Sequence, residues 1–147
     1  MTNPASSPIY SQSAAIPFRT FDETLEVLII TARAGKHWIV PKGIIETGHS
    51  PQTAAALEAY EEAGIKGQVY PNAIGEYRYQ KWQGTCHVQV FLMQVAETLA
   101  DWPEKSFRTR RWVTPETACD MINEPALKNL LGRLPQLVAR MSPPTSR

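Results

Sequence analysis

The hydrophobic pattern divides the first half of the chain into strands and one helix. A loop with two glycines, residues 42–49, precedes the helix signal. Ser50 and Pro51 mark the helix start, because serine caps free backbone amides and proline suits the first helical turn. An alanine-rich stretch continues the helix, and Gly64 is typical of a left-handed residue that ends it. Three runs rich in aliphatic and β-branched side chains come earlier and predict strands: residues 10–19, 24–33 and 38–40.

The second half of the chain continues with strands and ends in helices. We predict strands over residues 68–79, 85–96 and 108–113, the first two joined around Gln83 and Gly84. Helices are predicted from Thr114 to about residue 122 and from about residue 125 to 141, with a kink at Pro135. This order predicts an α+β domain, a mixed β-sheet with a helix packed on each side.

Length and composition indicate one globular domain. The 147 residues suit a single core, which we place at residues 10–140, with flexible ends at residues 1–9 and 141–147. A net charge of +1 argues against binding to a nucleic acid polymer. No apolar run approaches membrane-spanning length and the N-terminus does not fit a secretory signal, so we expect a cytoplasmic protein. Cys86 and Cys119 lack metal-ligand spacing and are interpreted as two reduced core thiols.

Three glutamates on the first helix are the strongest candidates for chemistry. Glu58, Glu61 and Glu62 stand at i, i+3 and i+4, which places them on one face. Like charges at these spacings repel by about 0.2–0.5 kcal/mol per pair, and the helix dipole disfavours anions in the last turn. A solvated acidic face is the plain alternative. The nearby Lys42 and Gly43 favour a site that holds a divalent cation and a phosphate instead.

The segment around these acids resembles a known sequence motif. Residues 43–65 read GIIETGHSPQTAAALEAYEEAGI and are similar to the Nudix box, GX5EX7REUXEEXGU, in which U is aliphatic. His49 and Leu57 stand where the box has glutamate and arginine, two charged partners of the catalytic glutamates. Flanking segments resemble the diphosphoinositol polyphosphate and diadenosine polyphosphate branch of the family: residues 38–41, 100–102 and 110–113. The resemblance implies the Nudix fold, with a mixed sheet sandwiched between helices.

The resemblance also implies a reaction and its metal. Nudix enzymes hydrolyse a pyrophosphate linked to another moiety, so we expect a hydrolase that uses Mg²⁺ or Mn²⁺ and a small phosphorylated substrate. Glu58, Glu61 and Glu62 are the implied catalytic residues and metal ligands, and the backbone of Gly43 or Lys42 is a further ligand. Spacing leaves open which glutamate is the base, and the sequence leaves open whether the chain forms a homodimer.

Substrate contacts are assigned to basic residues. Arg33 and Arg108 fall where the branch places phosphate-binding arginines, and Lys42 adds a third candidate. The start of the first strand, residues 10–13, is neutral, which favours a dinucleotide polyphosphate or another nucleoside diphosphate derivative over a highly charged inositol phosphate. Because of His49 and Leu57, a nucleotide-binding module or sensor with weak catalysis is the alternative function.

Overall fold

The structure is a computed structural model that describes residues 7–141, so residues 1–6 and 142–147 of the predicted flexible ends lie outside it. The first strand begins at Ile9, one residue before the predicted domain limit. Within residues 7–141 the chain forms one mixed sheet of eight strands. These strands are β1 (Ile9–Phe21), β2 (Thr24–Thr31), β3 (Trp38–Ile39), β4 (Lys42–Ile44), β5 (Ile65–Val69), β6 (Gly75–Lys81), β7 (Gly84–Thr98) and β8 (Arg110–Val113).

Two long strands organise the sheet. Residues 9–18 of β1 pair in parallel with residues 85–94 of β7, and the other strand pairs are antiparallel. Each long strand changes its second neighbour along its length. β1 pairs first with β4 and then with β2, while β7 pairs first with β6 and then with β5. This change of partner brings β4 close to the centre of the sheet, where the candidate site lies.

The helices begin and end where capping chemistry predicts. The side chain of Ser50 accepts a hydrogen bond from the Thr53 backbone N–H at 3.0 Å, and Gly64 ends the helix with φ of 66°. Between them the helix changes from α-helical to π-helical geometry after Glu58. The helical segments are α1 (Pro51–Glu58), its π-helical continuation (Ala59–Ala63), a 3-10 turn (Lys105–Phe107), α2 (Pro115–Met121), α3 (Pro125–Gly132) and α4 (Leu134–Arg140).

Helices cover both faces of the sheet, as predicted. Ala55, Ala59 and Ala63 of the first helix pack on one face against Leu28 and Met93, and the small alanine side chains allow a close approach. The last three helices cover the opposite face in a second core, to which α2 contributes Ala118 and the other two helices contribute leucines. Because its alanine face is pressed on the sheet, the first helix is held rigidly beside β4.

Three segments differ from their predicted secondary structure. Residues 68–79 are not one strand: β5 and β6 are separated by a turn that contains Pro71. The predicted kinked C-terminal helix is two helices, because Arg133 leaves helical geometry at φ −110° and ψ 10°. Pro135 has no N–H to continue a helix and instead lies in the first turn of α4. The loop after residue 41 also contains a strand, β4, which the sequence did not predict.

Two further expectations can be compared with residues 7–141. No helix there is long and apolar enough to cross a membrane. Cys86 is buried and Cys119 half-buried, and both thiols are free.

Candidate active site

Glu58 and Glu62 form an acidic pair at the junction of the α-helical and π-helical segments. Glu58 is half-buried and Glu62 is only 7% exposed. Burial raises the pKa of Glu58 to about 8, with the neighbouring charges of Glu62 and Glu61 adding to the effect. Burial also raises the pKa of Glu62 to about 7, against the opposing charge of Arg108. Two acids so placed compete for a proton or a cation near neutral pH.

Strand β4 meets both members of this pair with its backbone. The N–H of Lys42 donates to Oε1 of Glu62 at 3.2 Å. Gly43 lies so close to Glu58 that a Cβ atom there would overlap the carboxyl group. Glycine is therefore required at position 43 because no larger residue fits beside Glu58. Backbone conformation does not require it, since Gly43 does not have a positive φ. This contact also brings the Gly43 backbone, a predicted metal ligand, against the Glu58 carboxyl.

Arg108 joins the pair to a third acid that the sequence analysis missed, Glu104. The Nη2 atom of Arg108 lies 2.8 Å from Oε1 of Glu104 and 3.4 Å from Oε2 of Glu62, and its Nη1 donates to the Thr31 carbonyl at 2.9 Å. The Arg108 side chain is only 5% exposed. The i, i+4 spacing of Glu104 and Arg108 is the sequence signal that could have identified this ion pair. These contacts hold Glu62 in place, and the predicted role of Arg108 in phosphate binding stays a prediction.

The negative end of the helix is neutralised by a second arginine. Arg110 donates from Nη1 to the carbonyls of Ala63 at 2.9 Å and Gly64 at 3.3 Å. Its guanidinium also stacks 3.9 Å from the ring centroid of Trp102, whose Nε1 donates to the Glu62 carbonyl at 3.1 Å. Arg108 and Arg110 therefore supply positive charge near the acidic end of this helix, in addition to that expected from a divalent cation.

The acidic pair opens into a cavity of about 740 Å³. Arg33, Lys42 and Lys81 place positive charge on its lining, together with the engaged Arg108. Burial lowers the pKa of Lys42, the most enclosed of these lysines. A second cavity of about 530 Å³ shares Lys42 and Tyr79 with the first and is mainly apolar. The two cavities together offer an acidic end, a cationic wall and an aromatic region.

The remaining predicted residues lie at or beyond the edge of this arrangement. Glu61 is half-buried and does not line the cavity, although its backbone carbonyl accepts a bond from the Glu104 N–H at 3.1 Å. Arg33 is exposed, with its guanidinium 4.8 Å from the ring centroid of Phe107. His49 is exposed and Leu57 half-buried.

The oxygen-rich acidic pair fits a hard divalent cation. Within residues 7–141 no three His, Cys, Asp or Glu side chains already stand together as a metal-binding group. Mg²⁺, however, is commonly held by one or two carboxylates, with water and substrate phosphates completing its shell. Glu58 and Glu62 supply two such carboxylates, and burial, the main cause of their raised pKa values, disfavours the charged forms that a cation would stabilise. The metal roles of Glu61 and the Gly43 carbonyl stay predictions.

Comparisons with known proteins agree on one family. The family model described as the NUDIX domain matches residues 11–134. The chain is 33% identical over 117 residues to Nudix hydrolase 16, mitochondrial, of Arabidopsis thaliana, which covers 74% of this chain and 64% of that protein. It is 32% identical over 127 residues to diphosphoinositol polyphosphate phosphohydrolase 2 of Rattus norvegicus, which covers 84% of this chain and 69% of that protein.

A solved structure gives the same result for the fold. The C. elegans Ap4A hydrolase binary complex superimposes with a TM-score of 0.76 at 20% identity, over 88% of this chain and 98% of that chain. At this identity the likeness establishes the fold alone. The chain spans less than two thirds of the length of the Arabidopsis relative.

Proposed function

The chain belongs to the Nudix family, and we propose that it hydrolyses a pyrophosphate bond in a dinucleotide polyphosphate or another nucleoside diphosphate derivative, with Mg²⁺ or Mn²⁺ as cofactor. One observation carries the proposal: the half-buried Glu58 and the buried Glu62 form an acidic pair in a cavity whose lining also carries four lysine or arginine side chains and two further glutamates. Such a cavity suits a phosphate chain that reaches a divalent cation at the acids.

Each group at the site has a role in this reaction. When bound, the cation offsets the negative charge that builds on the phosphates in the transition state. Glu62 would hold it, and Glu58 would either complete its ligands or take a proton from the attacking water. In the metal-free protein, burial and the neighbouring acids raise the pKa of Glu58 to about 8, and a bound cation would lower it again. Arg33, Lys42 and Lys81 bind the phosphate oxygens along the wall.

The supply of cations favours a nucleotide over an inositol substrate. The rat relative is named for diphosphoinositol polyphosphates, which carry many phosphates on one ring. Beyond Arg108, which is occupied by two glutamates, the cavity lining has three lysine or arginine side chains: Arg33, Lys42 and Lys81. Gln12, the residue that β1 adds to the cavity lining, is neutral. Three cations suit a short linear polyphosphate better than a ring with six or more phosphates.

A nucleotide-binding module without turnover is the second candidate. It is favoured by the departures at His49 and Leu57, which remove two charged partners of the usual motif. Against it, Arg108 comes from another part of the chain and supplies a guanidinium to Glu62. The acidic pair therefore keeps a positively charged partner despite the altered motif.

Turnover with and without metal separates the two candidates. The protein is incubated with Mg²⁺ and a panel of Ap4A, Ap5A, ADP-ribose, NADH, nucleoside triphosphates and a diphosphoinositol phosphate, and the products are quantified. We expect Mg²⁺-dependent cleavage of at least one nucleotide, fastest for a dinucleotide polyphosphate. Binding of a nucleotide with no product over the whole panel would reject the hydrolase and support the module.

A matched pair of variants tests the assignment of the site. Glu62→Gln is expected to lower turnover by at least ~100-fold, because it removes a charge that holds the cation. Glu97→Gln, an exposed glutamate on β7 outside the cavity lining, is the control and should keep wild-type turnover. Circular dichroism of both variants verifies the fold. Wild-type turnover in Glu62→Gln would contradict the assignment.

A further inference from the structure

Trp82 lies in an unusual place for a large aromatic residue. It is the first residue of the two-residue turn between β6 and β7, and both turn residues have positive φ, 54° for Trp82 and 56° for Gln83. Such turns favour Asn-Gly or Asp-Gly, since a bulky side chain is strained at positive φ. Turn chemistry therefore does not explain the tryptophan. Its side chain is also 48% exposed, which core packing does not explain either.

The ring of Trp82 is nevertheless held in a defined position. The ring centroid of Tyr10 lies 5.3 Å away at an interplanar angle of 78°, an edge-to-face contact. The ammonium of Lys81 lies 4.6 Å from the ring centroid. The indole is thus supported on two sides, and about half of the residue's surface remains open.

This open surface contributes to the same cavity as the acidic pair. Trp82 lines the 740 Å³ cavity together with Glu58 and Glu62. The other aromatic ring of that lining, Tyr79, is less available: its hydroxyl donates to Gln12 Oε1 at 2.7 Å, and Lys42 lies 5.1 Å from its ring centroid. Trp82 is therefore the more open aromatic platform of the cavity.

We propose that Trp82 determines substrate specificity by stacking its indole ring on a nucleobase of the substrate, while the phosphates extend along the cationic wall to Glu58 and Glu62. The inference rests on the proposed function, which it deepens by naming the group that is recognised at the rim. Lys81 adjoins the ring and also lines the cavity, so it is placed to bind the first phosphates after the nucleoside. Every nucleobase has a π-face, so stacking here selects nucleotides from ring-free polyphosphates without selecting one base strongly.

The test compares a substrate with bases and one without. Wild type, Trp82→Asn, Trp82→Phe and the control Phe21→Ala are assayed with Ap4A and with inorganic tetraphosphate, which has the same number of phosphates and no ring. Asparagine suits the turn at positive φ, so Trp82→Asn removes the ring without penalising the hairpin. Phe21 is an exposed aromatic residue at the end of β1, beside the turn of a different hairpin, and it lies outside the cavity lining.

We expect Trp82→Asn to raise KM for Ap4A by about tenfold, the scale of one lost base–aromatic stack. Its KM for tetraphosphate should stay within about twofold of wild type, and Trp82→Phe should retain most of the Ap4A affinity because it keeps an aromatic face. Phe21→Ala should match wild type on both. An unchanged KM for Ap4A in Trp82→Asn, or an equal loss on both substrates, would overturn the inference.

A binding measurement keeps this test independent of turnover. A methylene-bridged, nonhydrolysable Ap4A analogue and tetraphosphate are titrated calorimetrically into the same four proteins. Loss of analogue affinity in Trp82→Asn alone would support stacking even if no substrate were cleaved, which would reject the hydrolase separately. Equal analogue affinity in all four proteins would reject stacking even if Ap4A were cleaved.

Discussion

At the scale of single residues, three glutamates that share one helix face have different surroundings in the structure. Glu58, Glu61 and Glu62 were predicted together from one helix face. Glu58 and Glu62 line the cavity with raised pKa values, whereas Glu61 stands outside its lining. The difference comes from β4, which contacts both Glu58 and Glu62, and from Arg108, which contacts Glu62. Burial and partners, more than helix spacing, decide which carboxyl groups can act together.

Gly43→Ala is expected to lower turnover by at least ~10-fold, since its Cβ would overlap the Glu58 carboxyl and displace it from the pair. The rate is measured at saturating Mg²⁺ and nucleotide. Gly132→Ala is the control, because nothing lies within 4 Å of a Cβ built at that helical position. It should keep its rate and gain up to about 1 kcal/mol in stability. A Gly43→Ala variant with wild-type rate would refute the proposed contact.

Arg108→Ala is expected to lower the free energy of unfolding by about 3 kcal/mol, because it leaves Glu62 and Glu104 near one another without their buried cation. Urea unfolding at pH 7 without metal measures the loss. The exposed Arg111 on β8 provides the comparison, and Arg111→Ala should change stability by less than about 1 kcal/mol. Similar losses in the two variants would show that Arg108 has no special role in holding the acids.

At the scale of elements, the catalytic helix is defined by its end as much as by its start. Its α-helical part stops at Glu58, and the wider π turn carries Glu61 and Glu62 before Gly64 reverses the chain. Single-turn π segments often occur at functional sites, where they change the direction of side chains. The Arg110 guanidinium and the Trp102 indole fix this end by bonding its carbonyls. The position of Glu62 therefore depends on packing beyond the helix itself.

Gly64→Ala is expected to destabilise the protein more than Gly48→Ala. Both glycines have positive φ, 66° and 89°, so both variants carry a backbone penalty of about 1–2 kcal/mol. Only at Gly64 would the added Cβ also collide with the Trp102 ring and Arg110, whereas Gly48 faces open space. Denaturant unfolding of the two variants isolates the collision as their difference. Equal losses would mean that the helix end adapts freely and that Trp102 and Arg110 do not fix it.

At the scale of the whole molecule, the raised pKa values of the site make the stability of the fold depend on pH and on bound metal. Glu58 and Glu62 have pKa values of about 8 and 7 in the fold, against 4.5 for an ordinary glutamate. Between pH 4.5 and 8 the folded state therefore binds more protons than the unfolded state. By linkage, these two groups make the metal-free protein lose stability as pH rises through that window.

The metal-free protein should show a falling melting temperature from about pH 5 to pH 8. Mg²⁺ should raise the melting temperature most at the upper end of that range. There the acids have lost their protons, so the cation no longer competes with protons for the carboxylates. Glu62→Gln should flatten the pH profile and weaken the Mg²⁺ effect. Thermal unfolding in buffers of constant ionic strength tests this. A wild-type profile that rises over the same range, or a Mg²⁺ effect that Glu62→Gln leaves intact, would contradict it.

Much of the fold was predictable because its signals are local. Ser50 with Pro51 and Thr114 with Pro115 mark the starts of α1 and α2, and Gly64 has the predicted left-handed geometry. The division of residues 68–79 into two strands and the break at Arg133 were missed. Both breaks lie next to a proline, Pro71 and Pro135, and which break a proline produces depends on the packing of the segments around it.

For the site, the sequence by itself determined the family and the acidic helix. These follow from residue type and spacing along one segment, which fix a helix face. Only the tertiary structure decided that Glu104 and Arg108 join Glu62, that Glu61 stands apart and that Trp82 opens into the same cavity. Such contacts join residues 20 to 50 positions apart or more, and their energies depend on burial and distance, which arise only when the sheet brings distant segments together.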